Sequence, residues 1–376
     1  MKTASGSIKE VALLFLKLGC IAFGGPAAHI AIMEDEVVHK RRWMSRQHFL
    51  DLVGATNLIP GPNSTEMTMH CGHERAGHMG LFVAGACFIF PAVVITGVFA
   101  WLYVQYGSLP TVEPFIYGIK PAVLAIIAGA IMKLGKKAVK GWELAVLGFI
   151  TFVVSVAGVN EIAALLGAGI IGCLYFFLRN SITGSANLLF PFPAAIAAAS
   201  ITKLSAFNVF WPFLKVGLVL YGSGYVLFAY LDAELVEKGW LTRQQLMDAV
   251  GVGQFTPGPV LSTATFIGYQ LNGIAGAVAA TLGIFLPSFF FVLFLNPLIP
   301  KMRRSRILSY FLDSVNIAAV AVMCAVLLEM GKDTLINWRS VVIAILSIGA
   351  TIGLKKVNAV WLVAGGSIAG RLLLLV

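Results

Sequence analysis

From Ala76 to Val112 the chain reads AGHMGLFVAGACFIFPAVVITGVFAWLYVQYGSLPTV, without one formally charged residue. A second uncharged run extends from Ala249 to Pro300. About 20 apolar residues are enough to cross a bilayer as a helix, and both runs are far longer. They are solid rather than alternating, so the spans are helices and not barrel strands. The rest of the sequence agrees. Of 376 residues 59% are hydrophobic and 12% charged, with a mean hydropathy of +0.88. A soluble domain carries about 25% charged residues. The expected fold class is therefore an all-α integral membrane protein.

The net charge of +10 would suggest a nucleic-acid partner in a soluble protein; here it reads as loop charge that sets topology, and no nucleic acid is expected. Cys20, Cys71, Cys87, Cys173 and Cys324 form no CxxC pair, and most lie in apolar stretches. They predict neither disulfide nor redox role. The apolar segment from Val11 lacks a small-x-small cleavage pattern and reads as a retained helix rather than a signal peptide.

The chain is written twice. Phe15-Leu16-Lys17-Leu18-Gly19 recurs as Phe213-Leu214-Lys215-Val216-Gly217, an offset of 198. Trp43-Met44-Ser45-Arg46-Gln47 recurs as Trp240-Leu241-Thr242-Arg243-Gln244, and Pro60-Gly61-Pro62 as Pro257-Gly258-Pro259, both at 197. Pro91 with Pro287 and Trp142 with Trp338 follow at 196. The expected organisation is one repeat over residues 1–179, a linker over 180–206 and a second repeat over 207–376.

Five apolar spans are expected in each half, near 11–33, 80–105, 117–134, 143–158 and 161–178, and near 207–231, 274–297, 311–330, 341–354 and 358–375. The stretches 48–74 and 245–271 around each PGP are too broken for ordinary spans. If they enter and leave on one side, the second half is inverted, giving about ten transmembrane helices. Sixteen of the 27 Lys and Arg residues then fall on one membrane face and seven, including Lys9, on the other. Lys17, Arg75, Lys120 and Lys215 stay within membrane segments. That bias fits cytoplasmic basic loops.

Asn57-Leu58-Ile59-Pro60-Gly61-Pro62-Asn63-Ser64-Thr65-Glu66 is the most informative segment. Each proline lacks an N–H and disfavours helix for the residue before it. Asn63, Ser64 and Thr65 are cap candidates for the helix that follows. The second copy keeps Pro257, Gly258, Pro259, Ser262 and Thr263, with Thr263 in place of Glu66. Matching breaks in inverted halves point to a midplane transport site, whose helix N-termini favour an oxyanion; a simple kink between packed helices is the alternative. Gly24 and Gly25 read either as a second break or as a close helix contact. Lys17, Lys215 and Arg75 are countercharge candidates, with snorkelling to the interface as the alternative for the lysines. Glu66 and His70, one turn apart, are candidates for a proton relay; otherwise Glu66 is an acid placed at a helix N-terminus. His70, Cys71, His73 and His78 match no standard metal spacing, so no metal or other cofactor is expected.

The stretch from Phe23-Gly24-Gly25-Pro26 through Trp43 to Pro60-Gly61-Pro62-Asn63-Ser64-Thr65-Glu66 resembles the signature of the chromate ion transporter family. The second PGP, with Gly222 and Trp240, resembles that family's C-terminal domain. The resemblance spans both halves. It implies a multi-pass secondary transporter of the bacterial inner membrane, in the fused two-domain form, that exports chromate and confers resistance. Sulfate is the isostere of chromate, so a sulfate-like oxyanion is an open alternative. Lipid is the expected surrounding, and a homodimer is left open.

The alternatives are a proton-coupled sulfate importer, a membrane enzyme or lipid-handling protein, and a scaffold subunit. The chain contains no HExxH, GxSxG or phosphate-loop motif, so no enzyme activity is expected.

Overall fold

A computed structural model describes residues 4–23, 26–180, 205–221, 226–295, 305–353 and 359–374. Among them every regular element is helical. The expected breaks at Gly24, Gly25 and 222–225, and linker residues 181–204, lie outside the described residues.

The first half contains α1 (Ala4–Ile21), α2 (Pro26–Glu34) running into a π-helical turn (Asp35–Lys40), α3 (Arg46–Thr56), α4 (Asn63–Tyr106), α5 (Glu113–Ala138), α6 (Trp142–Val156) and α7 (Glu161–Asn180). The second half repeats the order. It has α8 (Ala206–Val219), α9 (Leu227–Leu231) with a π-helical turn (Asp232–Val236), α10 (Arg243–Phe255), a 3-10 turn (Val260–Ser262), α11 (Thr263–Leu295), α12 (Arg306–Thr334), α13 (Trp338–Gly353) and α14 (Ala359–Leu373). Outward faces carry Phe90, Phe149, Ile171, Phe294, Leu346 and Trp361, each more than 60% exposed. Such a belt has no place in water and is solvated by lipid chains. The protein is an all-α, multi-pass membrane protein.

One expectation needs correction. The stretch 11–33 is not a single span. Glu10 lies 3.9 Å from Arg41 and Lys17 3.6 Å from Glu36, two pairs nested around residues 22–25. Helices α1 and α2 therefore run antiparallel and leave at the end where they entered. Lys9 thus shares the end of the basic loop 39–46 instead of lying opposite it. Stretch 207–231 behaves alike: Lys215 lies 3.6 Å from Glu234, and Tyr230 Oη donates to the Val219 carbonyl. Pro26 is the first residue of α2, a position where its missing N–H would be unpaired in any case.

The PGP stretch turns back in the same way. His48 at the start of α3 meets Glu74, 3.2 Å away, and Trp43 meets Arg75 over its ring. The chain then reverses at Ala76-Gly77, where Gly77 has φ +64, a region that favours glycine. Gly72 and Gly80 press together across this reversal, with no space for a side chain. The long limb of α4 runs on from residue 78. The second half reverses at Asn272-Gly273 and closes with Gly268 against Gly276.

The long limbs of the two halves run in opposite directions. Phe82, early in the long limb of α4, stacks on Phe289, late in α11. At the other end of that limb, Tyr103 meets both Phe266 and Asp248. Within each half the first helix packs closely on the long limb beside a proline. A Cβ on Gly19 would lie 2.6 Å from the Phe88 carbonyl oxygen and 3.1 Å from Pro91; on Gly217, 2.7 Å from the Ile284 carbonyl oxygen and 3.1 Å from Pro287.

Candidate functional site

The ends of α1 and α8, at Ala22 and Leu220, meet the two PGP turns where the halves cross. Their contacts are exchanged between halves. The Gly61 N–H donates to the Leu220 carbonyl at 2.6 Å, and the Gly258 N–H donates to the Ala22 carbonyl at 2.9 Å. Gly61 has φ +139 and Gly258 φ +83, backbone that a side chain strains. Each PGP turn is thus latched to the end of the first helix of the opposite half. The flanking Pro60, Pro62, Pro257 and Pro259 are buried, and having no N–H, none needs a hydrogen-bond acceptor there.

Helix α4 begins at the first PGP. Pro62 is its cap, with no side-chain hydrogen bond, and the Thr65 and Glu66 N–H groups reach the Pro62 carbonyl at 2.8 and 3.0 Å. The first N–H groups, at Asn63 and Ser64, have no acceptor within the helix. The Asn63 side chain does not cap: it donates to Asn57 Oδ1 at 2.7 Å and pinches the loop shut. Ser64 is 3% exposed and Thr65 fully buried, its Oγ1 without a hydrogen-bond partner among the described residues. Glu66 is fully buried; its carboxyl and the Ser288 hydroxyl of α11 together fill the space beside Gly61 where a Cβ would stand. His70 is buried one turn further along.

The second turn is lined by hydroxyls. Ser262 lies 3.4 Å from Thr256 and accepts from Thr96 of the first half at 3.1 Å. Thr263, which stands where the first copy has Glu66, folds back onto the Val260 carbonyl at 2.8 Å. Burial of so many polar groups costs free energy unless each is satisfied. Sequence reading missed Ser288, Thr96 and Thr256. Thr256 adjoins the motif, whereas nothing about the residue types of Ser288 and Thr96 distinguishes them within their long apolar runs.

The basic candidates stand elsewhere. Lys17 and Lys215 are held by Glu36 and Glu234, which also take Lys40, Arg41 and Lys238. Arg75 bonds Glu10 at 2.7 Å. It follows Asn63 by twelve residues, about 18 Å along the helix, so it caps the bundle end and does not reach the turn. Among the described residues no three His, Cys, Asp or Glu side chains converge as metal ligands.

The comparisons with known proteins agree with one another. The chromate transporter family profile matches residues 9–173 and again 207–371. The chromate transport protein of Cupriavidus metallidurans is 30% identical, over 98% of this chain and 96% of its own. The probable chromate transport protein of Synechococcus elongatus is 28% identical, over 97% and 95%. The chromate transport protein of Pseudomonas aeruginosa is 27% identical, over 95% and 90%. No solved structure matches the chain. With both halves matched end to end, the chain belongs to the chromate transporter family.

Proposed function

We propose that the protein exports a divalent oxyanion, chromate, across the bacterial inner membrane by alternating access between its halves, residues 1–179 and 207–376. The observation that carries the reading is the pair of buried PGP turns latched across the halves and set among hydroxyls. The N-terminus of a helix presents free N–H groups and about +0.5 of an elementary charge. The first turn offers Asn63 and Ser64 N–H groups with the Ser64 and Thr65 hydroxyls; the second offers Ser262 and Thr256. A tetrahedral dianion with four acceptor oxygens matches that donor set, and a cation does not.

Voltage supplies a driving force. One charge moved across 100 mV is worth about 2.3 kcal/mol, so a dianion leaving a negative interior gains about 4.6 kcal/mol. At about 1.4 kcal/mol per factor of ten, that sustains a gradient on the order of a thousandfold without a coupled ion.

Proteoliposomes loaded with chromate at fixed voltage test the reading. Flux persists after the pH gradient is collapsed, and sulfate competes for it. Ser64→Ala with Ser262→Ala raises the half-saturating chromate concentration about tenfold, the loss of about 1.4 kcal/mol in charge-assisted hydrogen bonds. An unchanged value removes these hydroxyls from the site.

A second reading is favoured by Glu66, an acid buried beside the first turn with His70 one turn away. In proton-coupled sulfate import these two would carry the proton. Uptake that stops when the pH gradient is removed, at constant voltage, selects it.

A further inference from the structure

The candidate countercharges of the first half lie on carboxylates at the mouths of the hairpins or at the bundle end, which leaves the route away from the PGP turns without an assigned cation. Lys120 stands nearer the second turn, on a helix packed against α10. Its side chain is 19% exposed, the most buried basic member of the ion pairs among the described residues. It lies on α5 and faces Asp248 of α10, the helix that leads into the second PGP. Asp248 is 4% exposed, and the eight residues from it to Thr256 span about 12 Å.

The pairing is divided. Lys120 Nζ lies 3.7 Å from Asp248 Oδ2 and 3.5 Å from Gln244 Oε1, beyond the best hydrogen-bond range. Tyr103 Oη donates to the same Oδ2 at 2.7 Å, while Asp248 Oδ1 has no partner among the described residues. Asp248, Val252 and Phe255 follow one another on one face of α10. The latter two border a cavity of 380 Å³ that Ile119, the neighbour of Lys120, also lines. The apolar surroundings on that face leave the field of the pair poorly screened.

Among the described residues the arrangement occurs only once. The repeat places Asp51 opposite Asp248 in register, and Asn316 where the second half would need its lysine. Gln47 lies 3.4 Å from Asp51. The lysine therefore marks the end of the bundle remote from Glu10, Trp43 and Arg75.

We infer that Lys120 is an oxyanion-binding subsite on the pathway between the PGP turns and that remote end, with Asp248 holding its ammonium until the travelling dianion displaces it. Tyr103 keeps the released carboxylate hydrogen-bonded. The inference rests on oxyanion transport as the activity.

Chromate flux in proteoliposomes, measured against chromate concentration, tests it with Lys120→Gln, Lys120→Arg and Asp248→Asn. Lys120→Gln raises the half-saturating concentration about tenfold or more, the loss of a charged hydrogen-bond partner. Lys120→Arg keeps it within about threefold. Asp248→Asn, which frees the lysine, lowers it or leaves it unchanged. If Asp248→Asn raises it as Lys120→Gln does, or if both change only the maximal rate, the pair is a structural latch and the inference fails. Asp248→Asn decides alone should Lys120→Gln not fold. Wild-type protein that moves no oxyanion overturns the underlying activity instead, a distinct result.

Discussion

The crossed latch makes a quantitative claim about Gly258. Replacing it with alanine forces a side chain onto backbone at φ +83, which costs about 1–2 kcal/mol. The new Cβ would lie 3.0 Å from Ala92 Cβ and 3.2 Å from the Gly19 carbonyl oxygen. Relief of that crowding moves the turn away from α1 and breaks the 2.9 Å bond from the Gly258 N–H to Ala22. A broken hydrogen bond that leaves both groups buried costs about 1–3 kcal/mol more. The total is about 2–5 kcal/mol. Gly77→Ala is the control, because Gly77 has φ +64 but nothing within 4 Å of its Cβ position. It bears the conformational cost alone, about 1–3 kcal/mol for backbone that is essentially glycine-only. Unfolding of the purified protein in detergent, followed by helical signal or by steric trapping, compares the two directly. Gly258→Ala unfolds at the lower temperature, by the margin the latch supplies. Equal destabilisation of the two variants would show that the turn is not held across the halves, and the account of the site would fall with it.

Two further outcomes test the periphery. Arg75→Gln leaves the half-saturating chromate concentration unchanged, and it lowers stability by no more than about 1 kcal/mol, since Arg75 and Glu10 are 40% and 36% exposed; flux titration and thermal unfolding read both. In the loop after the second π-helical turn, burial and then the nearby Asp232 hold the Glu237 carboxyl above its ordinary range, so its ionised form opposes folding: stability is present while the group is protonated and lost as pH rises through its titration. Glu237→Gln therefore raises the unfolding temperature at pH 7, and the gain disappears near pH 4.

Much of this was legible because the chain is duplicated. The offset between Pro60-Gly61-Pro62 and Pro257-Gly258-Pro259 is enough to locate both turns, and two prolines around a glycine admit no helix. What the repeat concealed is the folding back of α1 on α2. Hydropathy averages over 11–33 and cannot distinguish one crossing from two antiparallel helices, since lipid and protein neighbours are equally apolar. The deciding contacts, Glu10 with Arg41 and Lys17 with Glu36, are pairings across chain separations that periodicity does not reveal. The same blindness made Lys17 and Arg75 countercharge candidates. A lone lysine in an apolar run reads as a demand for an anion until its carboxylate is placed beside it. Asn63 failed for a local reason: its type suits a cap, but Asn57 lies at the right distance to take its amide.

The departures from the repeat bear on how such a molecule would be driven. In an inverted repeat, exchange of conformation between the halves interconverts the states open at either end. Identical copies would give both states equal energy. Here the copies differ where it matters: Glu66 faces Ser288, while the matching positions hold Thr263 and Ala92; Lys120 faces Asp248, while the positions that match them in the repeat hold Asn316 and Asp51. Under the proposed alternating access, opening the remote end would separate the buried Lys120–Asp248 pair. Separating such a pair costs up to about 3–5 kcal/mol when nothing replaces either partner. A dianion gains about 4.6 kcal/mol in crossing 100 mV, a term of the same size. On the proposed reading, a dianion taking the place of Asp248 would remove most of that cost on arrival, so the same charge that feels the voltage would also unlock the end through which the voltage drives it. An empty carrier would have neither term in its favour and would keep the remote end shut.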